Sequence, residues 1–224
     1  MASILRRAIN SFGKLKLRTT KSRHARPKIG PPLESGLGCG GRDDRENGWL
    51  RDDTGELVTG FPIGAVDTVV DVGCGEGLAS VFAANTGAEV IAVDIDPRSI
   101  RVVAKKLKTS RARSHQTIVS DSNPLALADA TASRVVAMEV LEHVQDPVRL
   151  LEELVRIGQP GALYLITVPD ERAELVQRKI APPAYWKEPN HLRIFSRDGL
   201  DRLVSQAGLT IEKRTYKSFF WAMW

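Results

Sequence analysis

Thr68-Val69-Val70-Asp71-Val72-Gly73-Cys74-Gly75-Glu76-Gly77-Leu78 is the stretch that decides how this chain of 224 residues folds. Its first five residues are β-branched around a single acid, the composition of a buried strand, and Leu78 opens a run with helical spacing. The glycines between them lack Cβ atoms. The turn can therefore tighten, a ligand can approach the backbone, and the helix start offers free N–H groups to it. The spacing is Gly-x-Gly-x-Gly. A dinucleotide fingerprint would need glycine in place of Leu78, so a hydride-transfer enzyme fits poorly.

Downstream, apolar runs alternate with helical periods. Strands are expected over residues 68–72, 88–94, 116–120, 134–139, 162–168 and 209–214, and helices over residues 78–86, 97–107, 147–157 and 196–206. Gly158-Gln159-Pro160-Gly161 punctuates the end of the third helix. Strand and helix in alternation predict an α/β domain with a parallel sheet. The second strand ends in Asp94, about 20 residues after the glycine turn, where a carboxylate can accept both hydroxyl hydrogens of a ribose.

Upstream the pattern differs. Ile4, Leu5, Ala8, Ile9, Phe12 and Leu15 fall on one arc of a helical wheel, with Arg6, Arg7 and Lys14 opposite, which predicts a basic amphipathic helix over residues 1–16. Three readings of it stay open: contact with an anionic membrane surface, a mitochondrial-type presequence, and plain packing on the domain. Pro27, Pro31, Pro32 and the glycine-rich residues 36–41 make residues 17–60 irregular. The chain thus divides into an extension, residues 1–60, and a ligand-binding domain, residues 61–224.

Composition narrows the class. An apolar fraction of 42% with 26% charged residues suits a globular domain and excludes a fibrous or disordered chain. Two cysteines, Cys39 and Cys74, build neither a disulfide framework nor a zinc site. No apolar run reaches the roughly 18–20 residues of a membrane span. The net charge is +5, and residues 1–30 hold nine Lys or Arg and no acid. A cytoplasmic location is expected, peripheral to the inner membrane if the first segment binds lipid and mitochondrial if the source is eukaryotic.

Val70-Asp71-Val72-Gly73-Cys74-Gly75-Glu76-Gly77, Asp94 and the segment Met138-Glu139-Val140-Leu141-Glu142-His143-Val144-Gln145-Asp146-Pro147 resemble, in that order, the motifs of class I S-adenosylmethionine-dependent methyltransferases. The resemblance covers roughly residues 67–213. It implies a Rossmann-like three-layer α/β sandwich with a mostly parallel seven-stranded sheet whose last strand is antiparallel. It implies S-adenosylmethionine as cofactor, held by Asp71, Gly73, Cys74, Gly75 and Gly77 at the turn, by Asp94 at the ribose with Ile95 next to it, by Asp121 and Ser122 at the adenine, and by Glu139 and Val140 in the segment that lines the cofactor pocket and faces the substrate. Asp71 has a second reading, as a strand-end acid holding loop N–H groups. Asp121 can likewise be a solvated loop acid.

Methyl transfer from a sulfonium needs positioning and exclusion of water above all. A hydroxyl acceptor adds the need for a base, and His143 and His191 are the histidines inside motif-bearing segments, with Glu142 beside the first. Each can equally be a structural hydrogen-bonding group. Glu139, Glu142, His143 and His191 together could hold a divalent cation, a set similar to that of ubiquinone-pathway O-methyltransferases and small-RNA terminal 2′-O-methyltransferases. Metal-independent small-molecule methyltransferases carry the same letters, so no metal is expected. Tyr185 and Trp186 lie in a Pro-rich insertion after the fifth strand, where they either stack on an acceptor or cap the core. The expected reaction is O-methylation of a small molecule, glycan or lipid-linked intermediate. The alternatives are a metal-assisted RNA 2′-O-methyltransferase, less favoured because no basic surface interleaved with aromatics is visible, and a non-catalytic cofactor-binding partner protein.

Overall fold

A computed structural model of the chain describes residues 2–7, 49–188 and 190–215. Its centre is a parallel sheet of five strands: β5 (Thr68–Val72), β6 (Glu89–Asp94), β7 (Ser114–Val119), β8 (Ala132–Met138) and β9 (Gly158–Thr167), in the order β7-β6-β5-β8-β9. The helices are α1 (Leu78–Asn85), α2 (Pro97–Lys108), α3 (Pro147–Ile157), α4 (Glu171–Ile180) and α5 (Arg197–Gln206).

Successive residues of β5, β6 and β8 enter opposite cores, because side chains alternate across a pleated strand. Val70, Val72, Ile91, Val93, Val135 and Ala137 pack with Leu150, Leu151 and Leu154 of α3 and Leu200 and Val204 of α5. Val69, Val90, Ala92 and Val136 pack on the other face with Phe82 of α1 and Ile100, Val103 and Leu107 of α2. Both faces of β5, β6, β8 and the second half of β9 are covered, which is why they read as apolar runs, whereas β7 at the sheet edge is largely exposed. Asp96 and Asp146 start α2 and α3 in the same way: each carboxylate accepts two backbone N–H groups, and proline follows in the first turn.

Two described segments within the first 60 residues depart from expectation. Ala2–Arg7 is not helical; it forms β1, which lies between β9 and β10 (Leu209–Thr215) and pairs antiparallel with both. A strand seated between two others has partners for the N–H and C=O groups of both its edges, whereas a short isolated helix gains little in water. Residues 8–16 of the expected helix lie outside the described residues. The reversed strand of the sheet is therefore β1. β10 pairs antiparallel with β1 and so runs in the direction of the five central strands, contrary to the expectation for the last strand.

Nor is all of residues 17–60 irregular. β2 (Trp49–Arg51), β3 (Glu56–Val58) and β4 (Phe61–Pro62) form a three-stranded antiparallel sheet. Trp49, Leu57, Val58, Phe61 and Ile63 are buried in the same core as Val69 and Phe82. A boundary at residue 60 would cut this small sheet and the core it shares. Among the described residues, no helix is long and apolar enough to cross a membrane.

Candidate functional site

The expected cofactor residues meet at the carboxyl ends of β5, β6, β7 and β8. Gly73, Gly75 and Gly77 all adopt positive φ, at 68°, 51° and 87°, and two of them are also constrained by space. A Cβ on Gly73 would overlap Val140 Cγ2, and one on Gly77 would come within 2.8 Å of Val103 Cγ2. Gly75 differs. Its Cβ would meet nothing within 4 Å, so its backbone borders open space. Gly77 caps α1 without any side-chain hydrogen bond, unlike the Asp caps of α2 and α3, so the start of α1 keeps donors for a ligand.

Asp94 grips this loop. Its Oδ2 accepts from Gly75 N at 2.8 Å and its Oδ1 from Asp96 N at 2.8 Å. Each oxygen keeps a further lone pair for a ribose hydroxyl. Ile95, next in sequence, is a large apolar side chain left 70% exposed at the same edge. Ser120 N, just past β7, donates to Asp94 O, which brings the Asp121–Ser122 turn to this end of the sheet. Ser122 is buried at φ 62°, and Asp121 Oδ1 accepts from Asn123 N.

Two cofactor assignments take a different form in the structure. Asp71 is buried and its Oδ2 accepts from Ser80 Oγ of α1 at 2.6 Å. It anchors the helix to the strand end. Burial is the main force that pushes its carboxyl up to about 6, against the hydrogen bonds from Ser80. Cys74 packs its side chain into the core while its N–H bonds Val93 O. Burial, reinforced by Asp71 and Asp94, pushes its thiol up, so any part Cys74 has in binding belongs to its backbone.

Beyond Val140 lies a cluster of acids and imidazoles. Glu139 has φ 54°, its N–H donates to Thr167 Oγ1, and its Oε1 accepts from the same hydroxyl at 2.7 Å. Glu142 is 1% exposed, and among the described residues neither carboxylate oxygen has a hydrogen-bond partner. Burial first, then Glu139 and Glu174, pushes its carboxyl up to about 9. His143 Nε2 stands 3.8 Å from Glu142 Oε1, beyond hydrogen-bond range, and the His143 and His191 rings meet edge to face with centroids 4.8 Å apart.

The insertion after β9 folds onto this cluster. Leu192 N donates to Glu142 O at 2.8 Å. Tyr185 and Trp186, in a short 3₁₀ turn (Pro183–Trp186), pack edge to face with centroids 4.9 Å apart, and Tyr185 lies 4.6 Å from the His191 ring. His191 Nδ1 is 2.7 Å from Glu174 Oε2. Burial and then Glu174 push the Tyr185 hydroxyl up to about 12, so it remains a donor. One ligand atom from each of Glu142, His143 and His191 lies within 4.8 Å of the others. Glu139 stands outside that set of three. The sequence reading missed Glu174, Thr167 and Ser80. A capping Asp170 four residues before Glu174 was the one signal that a helix begins there.

Known proteins similar to this chain include methyltransferases. A family model described as a methyltransferase domain matches residues 23–214. A ubiquinone biosynthesis O-methyltransferase of Xanthomonas oryzae is 35% identical over 101 residues, which is 45% of this chain and 42% of that protein. A Mycolicibacterium smegmatis protein named as a probable S-adenosylmethionine-dependent methyltransferase is 29% identical over 146 residues, 64% of this chain and 52% of that one. The chain thus spans about half the length, or less, of these curated relatives. Among solved structures, a SAM-dependent methyltransferase of Aquifex aeolicus aligns with TM-score 0.51 at 20% identity, over 65% of this chain and 73% of its own. One from Methanosarcina mazei aligns with TM-score 0.53 at 20% identity, over 65% and 80%. At that identity the structures show a shared fold.

Proposed function

The chain belongs to the methyltransferase-domain family, and from that premise we propose that it methylates the oxygen of a small-molecule, glycan or lipid-linked acceptor with S-adenosylmethionine. One observation carries this reading: the Asp94–Gly75 grip and the open space beside Gly75 adjoin the His143–His191 cluster through the contact of Val140 with Gly73. The residues present fit the cofactor. Asp94 holds lone pairs for the ribose, exposed Ile95 offers an apolar surface to the base, and the uncapped start of α1 offers donors to the methionine end. When bound, S-adenosylmethionine supplies a methyl group on a sulfonium sulfur, a leaving group that departs without protonation.

The chain's own residues then have two tasks. Tyr185, Trp186 and the insertion tied to Glu142 exclude water and orient the acceptor. His191 or His143 takes the proton that leaves the acceptor oxygen. Oxygen as the target is supported by the ubiquinone O-methyltransferase relatives, whose match covers less than half of this chain.

A second reading is favoured by Glu142, whose two buried oxygens have no hydrogen-bond partner. Glu142, His143 and His191 would hold a divalent cation, which would polarise the acceptor oxygen and lower its pKa. Release of S-adenosylhomocysteine across a panel of catechols, glycans and RNA, with and without chelator, tests both readings. Turnover that survives the chelator excludes the cation. A chain with no calorimetric affinity for S-adenosylhomocysteine excludes both.

A further inference from the structure

His191 shows its two ring nitrogens to partners of different kinds. Nδ1 lies 2.7 Å from Glu174 Oε2, and Nε2 lies 3.4 Å from the Tyr185 hydroxyl. Glu174 is 2% exposed on α4, and its other oxygen is 3.5 Å from the same hydroxyl. A carboxylate oxygen accepts, so the 2.7 Å contact places a proton on Nδ1 toward Glu174 and leaves Nε2 as the accepting nitrogen of that tautomer. The single Tyr185 hydroxyl proton can serve that lone pair at 3.4 Å or Glu174 Oε1 at 3.5 Å.

We propose that Glu174 is a positioning residue of the methyl-transfer site, holding His191 in the tautomer whose Nε2 can take the acceptor's proton. The proposal rests on the reading of His191 as the proton acceptor. In the step it serves, the acceptor oxygen loses its proton to Nε2 as it bonds the methyl carbon, the carbon–sulfur bond breaks with its electron pair left on a now neutral sulfur, and the imidazolium that results sits against the Glu174 carboxylate. Glu174 is a buried acid whose side chain, among the described residues, meets this imidazole at 2.7 Å and this phenol at 3.5 Å. Burying it unpaired would be unfavourable, and pairing it with a ring that must carry charge only transiently suits a site that handles a proton.

Nitrogen-15 NMR of the cofactor-free full chain reads the imidazole without any turnover. His191 is expected with Nδ1 protonated and Nε2 bare. Glu174→Ala should return the ring to the Nε2–H form. With S-adenosylmethionine and 3,4-dihydroxybenzoate as probe, the same variant should lose roughly 10- to 100-fold in kcat, as for other groups that orient an imidazole, with KM for the cofactor unchanged. Glu174→Gln, which keeps an acceptor oxygen, should retain more of the rate than Glu174→Ala. Wild-type His191 found with Nε2 protonated overturns the proposal with no variant needed, and so does a Glu174→Ala chain with unaltered tautomer and kcat. If His191→Ala itself turns over normally, the premise about His191 falls, and the positioning role falls with it.

Discussion

Replacing Gly75 with alanine tests the cofactor loop at a single atom. The residue sits at φ 51°, and a Cβ placed on it meets no atom within 4 Å. The folded chain therefore has room for the methyl group, and the loss of stability comes from the left-handed backbone alone, about 1–2 kcal/mol. For a chain of this size that lowers Tm by roughly 2–4 °C per kcal/mol. The same methyl group stands in the space through which a ligand would approach the backbone beside Asp94. Overfilling a tight contact costs about 1–3 kcal/mol, which corresponds to roughly 5- to 150-fold in Kd. Calorimetry with S-adenosylhomocysteine and thermal unfolding on the same preparation separate the two effects. Gly73→Ala is the counterpart: its methyl group would overlap Val140, so it should lose more stability than Gly75→Ala, and adding Val140→Ala should restore part of it. A Gly75→Ala chain that binds S-adenosylhomocysteine as tightly as wild type would refute the placement of the ligand against this loop.

Two further expectations concern stability. Asp71 and Glu142 have carboxyls raised by burial from 3.8 to about 6 and from 4.5 to about 9. A group raised on folding contributes stability that is fully present below its unfolded value and is lost as pH rises through its folded value. Denaturant titrations of the cofactor-free chain should therefore show stability falling with pH relative to Asp71→Asn between pH about 4 and 6, and relative to Glu142→Gln between pH about 5 and 9. A variant with the same pH slope as wild type in its window contradicts the burial assigned to that acid. Phe61→Ala should destabilise the whole chain by about 3–5 kcal/mol, in one cooperative transition, because Phe61 shares a core with Val69 and Phe82. Two separate transitions would instead restore a domain boundary near residue 60.

β5, β6, β8 and β9 were legible because their apolar runs are buried on both faces, whereas β7, largely exposed at the sheet edge, begins two residues before the expected strand. The helix Pro147–Ile157 could be placed to the residue from its Asp146-Pro147 start and the glycine that follows. The three-stranded sheet of residues 49–62 was not legible: strands of two or three residues are shorter than any period that could reveal them. Ala2–Arg7 misled for another reason. Six residues with apolar and basic types in blocks satisfy a helical wheel, and only the slot between β9 and β10 makes an extended backbone the better solution. At the site, Asp94 and the glycines could be read because strand ends fix their place. Glu174 could not, since Glu171-Arg172-Ala173-Glu174 looks like the first turn of a solvated helix.

That helix inverts the usual partition, and the inversion has a physical meaning. Leu175, Val176 and Ile180 of α4 are exposed, while Glu174 is buried. A periodicity argument would turn the helix the other way, with its aliphatic residues inward and its acid in water. Burying a carboxylate is unfavourable unless it is hydrogen-bonded, and here the compensation comes from His191 and, more weakly, Tyr185. Glu142 stands close by, buried with no hydrogen-bond partner for its carboxylate. Neither acid strengthens a core, and leucine at either position would suit packing better. Local rules that fail together in one place, while the rest of the sheet obeys them, mark the place where chemistry rather than stability selects the residues. The acids and imidazoles past β8 and β9 are the place proposed for it, and Val140 beside them packs against Gly73 of the glycine loop.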